Sequence, residues 1–149
     1  MDRRAPPVAD GAGPIADPRG ARHGWFAVGV ALAAPLSAWI AHRFAGLGLD
    51  LEGARDALVF LLLAPLLEEW IFRHGLQQAL SRRWGAAHRA NLVASIAFVA
   101  LHAPTAGLWA VLWIVPSLAL GEVWRRHRRL GLNVAMHAWF NACLWWMSA

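Results

Sequence analysis

The chain has 149 residues, of which 58% are hydrophobic and 15% charged, and its mean hydropathy is +0.41. Soluble domains run at about half apolar and about a quarter charged, so an ordinary soluble domain is excluded and one compact membrane domain is indicated. The net charge of +5 comes entirely from Arg, with no Lys. These Arg residues fall in short loops between apolar runs, which marks a cytoplasmic membrane face and argues against nucleic acid as a partner.

Residues 1–22 are rich in Pro, Gly and Ala without apolar periodicity and read as a disordered cytoplasmic tail. Residues 23–149 form the helical domain. The first span is predicted from Gly24 to Ile40, with Pro35 as a kink that neighbouring helices can absorb. Residues 46–56 carry three acids against one Arg and read as a loop. A second span begins near Ala57. A third runs from Ala90 to Ala103 and is closed by Pro104, and a fourth runs from Gly107 to Trp124. After Arg125, Arg126, His127, Arg128 and Arg129, a fifth runs from Gly131 to Ala149. The expected architecture is therefore all-α, a polytopic membrane bundle of about five transmembrane helices. The basic clusters place the N-terminus in the cytoplasm of a bacterial inner membrane. Several Trp residues lie at span ends, where aromatic rings anchor at the interface.

The second span carries the most informative stretch, LLLAPLLEEWIFRHGLQ from Leu61 to Gln77. Pro65 lacks an N–H, which frees the carbonyl of Leu61 and predicts a bend one turn before the acids. A carboxylate at the centre of a membrane helix costs about 2.5–3.5 kcal/mol on insertion scales. Glu69 and Arg73 stand at i, i+4 and can neutralise each other as a supporting ion pair. Glu68 lies about 100° round the helix and is left free for chemistry.

Other spans carry polar groups too: His102 in FVALH, and His137 with Asn141 in HAWFN. Each histidine taken alone reads as a core residue bonded to a carbonyl. Three helices with such groups at similar depth instead require one another as partners. A carboxylate beside an imidazole can hold and deprotonate water. A His and an Asn one helical turn apart can donate to a developing oxyanion. Glu122 adjoins the arginine block and reads as an interfacial ion-pair residue. Cys143 excludes an intramolecular disulfide and reads as packing.

EEWIFR, FVALH and HAWFN together resemble, in order and spacing, the EExxxR, FxxxH and HxxxN motifs of the CPBP family. That family comprises CAAX prenyl proteases and bacteriocin-processing enzymes, and the resemblance covers residues 54–149. It implies a glutamic-type intramembrane endopeptidase with no metal or other cofactor, in which Glu68 and His102 activate water. By the same resemblance His137 and Asn141 form the oxyanion hole, supported by Glu69 and Arg73. The chain is shorter than typical members and is similar to the proteases of bacterial C-terminal sorting systems of the JDVT-CTERM type. This implies a membrane-anchored substrate with a C-terminal transmembrane tail, reached within the lipid bilayer. Two other readings compete with it. Glu68, Glu69, His102 and His137 are acceptable zinc ligands, and a bacteriocin-immunity or membrane-binding protein could retain the same helices without activity.

Overall fold

The computed structural model describes residues 18–46 and 51–148. Every regular element among them is helical, with no strand. Helix α1 is Pro18–Ala45. Helix α2 covers 54–84 as a continuous run, with π-helical segments at Val59–Leu63 and Trp70–Gln77. Helix α3 is Ala87–Ala106, prolonged by a 3₁₀ segment at Gly107–Trp113. Helices α4, Ile114–His127, and α5, Leu130–Ser148, complete the chain. Of the tail expected over 1–22, residues 1–17 lie outside the described residues and 18–22 belong to α1.

The apolar runs dictate these helices, and specific residues end them. Helix α2 stops at Gly85, whose φ of 63° is left-handed and whose N–H bonds the Ser81 carbonyl at 3.0 Å. Pro104, expected to close the third span, instead sits inside the last turn of α3. The chain turns just beyond it at Gly107, whose φ of 57° a side chain would strain. α4 then packs back along α3.

Helix α5 is the central strut, packed against α1, α2 and α4. Small residues allow its close approach to α1: Ala34, Ala38 and Ala41 seat Cys143 and Leu144. Higher up, Val30 of α1 meets Leu120, Val123 and Met136. Cys143 is thus a packing residue in the α1–α5 seam.

Polarity is arranged in reverse of a soluble fold. The buried set includes Glu69, Arg73, Gln77, Asn91, Ser95, Ser117, Asn133 and His137, while Trp25, Leu32, Leu108 and Trp146 are each at least 75% exposed. Such an apolar exterior is far larger than a water-soluble monomer tolerates and is what lipid requires. Gly24–Ala45 and the folded stretch Ala87–His127 are each long and apolar enough to cross a membrane.

Candidate active site

Pro65 and the π turn before it open the site. In Val59–Leu63 the Ala64 N–H donates back five residues, to the Val59 carbonyl. The next donor in that register would be residue 65, and proline has none. The Phe60 carbonyl is therefore set free, one residue before the Leu61 carbonyl to which a purely α-helical count points. Asn141 Nδ2 fills the vacancy, donating to it at 2.8 Å. One amide hydrogen of Asn141 is used, and the second remains for another acceptor.

One turn further on, the two glutamates part company. Glu69 is 1% exposed and Arg73 0%, with Arg73 Nε 3.4 Å from Glu69 Oε2. Arg73 Nη2 also donates to the Ser117 hydroxyl at 2.7 Å and to the Ser117 carbonyl at 2.9 Å. Glu69 Oε1 lies 2.9 Å from His137 Nδ1, and Glu69 Oε2 accepts from Asn133 Nδ2 at 3.0 Å. Glu68 keeps 22% of its side chain exposed. Its carboxylate stands 3.8 Å from His102 Nε2 and 3.5 Å from His137 Nε2. The 3.8 Å separation is too long for a direct hydrogen bond.

The neighbours of the histidines fix their tautomers. His102 Nδ1 faces the Phe98 carbonyl at 2.8 Å, which only an N–H can satisfy. His137 Nδ1 faces a carboxylate oxygen, with the same consequence. When neutral, both rings therefore turn a bare Nε2 toward Glu68. Phe98 locks this pair, since its ring centroid lies 4.4 Å from that of His102 and 5.9 Å from that of His137. The phenylalanine of the FVALH motif thus supplies both a carbonyl anchor and a wedge.

Glu68, His102, His137 and Asn141 line a single cavity of about 570 Å³. Its remaining wall is largely apolar and includes Ala38 and Ala41 of α1, Phe60, Trp113 and Phe140. All six residues singled out from the sequence therefore meet around one site. Glu122 does not join them; it binds Arg125 and Arg126 at 2.6–2.7 Å, as its place beside the arginine block implied. Among the described residues, no group of three or more His, Cys, Asp or Glu is arranged to hold a metal ion.

Three participants escaped sequence reasoning. Asn133, Ser117 and Gln77 are not among the site residues singled out from the sequence, and Gln77 donates to the Gly121 carbonyl at 2.9 Å. The signal for Asn133 was present: Asn133, His137 and Asn141 form one i, i+4 ladder on a helix that is otherwise apolar.

Comparison with known families bears on the same segment. Residues 52–143, more than half the chain, match the family model described as Type II CAAX prenyl endopeptidase Rce1-like. No curated protein and no solved structure matches the chain.

Proposed function

Since the chain belongs to the Rce1-like family of type II CAAX prenyl endopeptidases, which are membrane proteases, we propose that it cleaves by a glutamic-type mechanism without a metal. The observation that carries this is the placement of Glu68 between two Nε2 atoms at 3.8 and 3.5 Å, on a cavity shared with Asn141. Glu68 takes a proton from water, with the bare Nε2 of His102 orienting that water. The hydroxide attacks the scissile carbonyl, and its electron pair moves onto the carbonyl oxygen. Asn141 donates its second amide hydrogen to that oxyanion. The proton gained by Glu68 is shared with His137 Nε2, 3.5 Å away, so that His137 also faces the oxyanion as a donor, with buried Glu69 as the counter-charge. Glu68 then returns its proton to the departing amine nitrogen as the C–N bond breaks.

The proposed substrate is a membrane-anchored protein whose C-terminal sorting tail enters between helices in a bacterial inner membrane, with the enzyme's N-terminus cytoplasmic. The apolar cavity wall and the similarity to C-terminal sorting proteases support this reading. The test is co-expression with a reporter carrying a motif, transmembrane helix and basic cluster, followed by mass spectrometry of its new terminus. Glu68→Gln keeps the shape but removes the base, so cleavage is abolished in protein that still folds. Cleavage by purified enzyme stripped with chelator is retained. An active Glu68→Gln enzyme sinks the assignment, and activity that returns only with stoichiometric zinc replaces it with a metalloprotease.

A further inference from the structure

We propose that Asn133 is a positioning residue that clamps Glu69, and through Glu69 sets the tautomer and aim of His137. Asn133 is fully buried on α5, one turn before His137. Its Nδ2 lies 3.0 Å from Glu69 Oε2 and 2.8 Å from the Leu120 carbonyl. Both neighbours are acceptors, so the amide orientation is unambiguous and both hydrogens are spent. Asn133 Oδ1 meets no hydrogen-bond partner among the described residues, so the side chain serves here only as a donor. It ties three helices at one nitrogen: α5 by its own backbone, α4 through Leu120 and α2 through Glu69.

The effect falls on the carboxylate. With Asn133 in place, Glu69 Oε2 is committed to Asn133 and Arg73, and Oε1 is turned to His137 Nδ1 at 2.9 Å. Without it, Oε2 keeps only the 3.4 Å contact with Arg73 Nε, and the carboxylate can rotate about its terminal torsion. His137 then loses the acceptor that holds its proton on Nδ1. The alternative tautomer places that proton on Nε2, which stands 3.5 Å from Glu68 Oε2. A neutral His137 in that state donates to Glu68 and occupies the proposed base.

The experiment is a long-range ¹H–¹⁵N spectrum of the full chain, ¹⁵N-labelled at histidine, in detergent micelles at neutral pH. His137 is assigned by the loss of its signals in His137→Gln. In the native chain it shows the Nδ1–H tautomer, with a strongly downfield Nδ1 proton. In Asn133→Leu, which keeps the bulk and removes the donors, that proton is lost or moves to Nε2. Asn133→Asp behaves the same way, because a carboxylate there repels Glu69. His102, held independently by the Phe98 carbonyl, keeps its native signals in both variants. Unchanged His137 signals in Asn133→Leu overturn the proposal. Joint loss of the His102 and His137 signals overturns it as well, since it reduces Asn133 to a general support of the fold. The kinetic consequence, a fall in kcat with KM retained, rests on the protease reading. The spectrum needs no substrate, so it can fail while that reading stands, or hold while that reading falls.

Discussion

A carboxylate closed off from water needs donors on both oxygens, and Glu69 has them in Asn133 and His137, with the Arg73 guanidinium 3.4 Å away as counter-charge. Its neighbour Glu68 has no such enclosure. Removing the charge of Glu69 leaves the Arg73 guanidinium buried without a counter-ion, a loss of about 3–5 kcal/mol when one partner of a buried pair is deleted. Glu69→Gln is therefore expected to melt well below the native protein in detergent, while Glu68→Gln melts close to it. Matching melting curves for the two variants would refute this division. The helical wheel made the division legible, because i, i+4 geometry joins only one of the two acids to Arg73. It could not show that His137 spends its Nδ1 on that same acid, since contacts between helices leave no trace in local spacing.

At the scale of elements, α2, α3 and α4 meet through a polar seam that depends on one missing side chain. Gln77 Nε2 donates to the Gly121 carbonyl at 2.9 Å, and Asn91 Nδ2 to the Leu118 carbonyl at 3.0 Å. A methyl group at Gly121 would overlap the Asn91 carboxamide and come within 2.9 Å of Gln77 Oε1. Gly121→Ala is expected to displace Asn91 and loosen the seam, at the roughly 1–3 kcal/mol typical of overpacking. Gly131→Ala, with nothing within 4 Å of the added carbon, is the control. Thermal melts in micelles read both, and a Gly121→Ala curve superposed on the native one would contradict the account. Apolar runs made each helix legible, though ends shifted: α3 begins at Ala87 and passes through Pro104. The π register before Pro65 was not legible. A proline announces a freed carbonyl, but which one depends on whether the preceding turn closes over four residues or five.

For the whole molecule, the all-α bundle could be read from composition, whereas the shape of its cavity could not. Glu68 and the histidines lie on a mostly apolar wall inside a lipid-facing bundle. A soluble peptide must shed its backbone hydration to reach them, whereas a frayed end of a transmembrane helix already lies in the bilayer. A peptide bearing the recognition motif alone should be cleaved far more slowly than the same motif fused to its transmembrane helix and basic cluster. Equal rates for the two in proteoliposomes would show that the anchor is not read.

The reversal of polarity also changes what the folded state is measured against. For a bundle in lipid the alternative is not a hydrated coil but separated helices, whose tails meet hydrocarbon as apolar as themselves. Lipid then supplies no solvophobic force to bring the helices together, and interhelical hydrogen bonds contribute only about 0.6 kcal/mol on average. What separation must do here is strand Arg73, Glu69 and Asn133 in hydrocarbon. The groups that aim the proposed chemistry are thus also the adhesive of the bundle. Selection acting on either property at these positions acts on both, and Glu68, partly open to the cavity, is the acid left able to change without loosening the assembly.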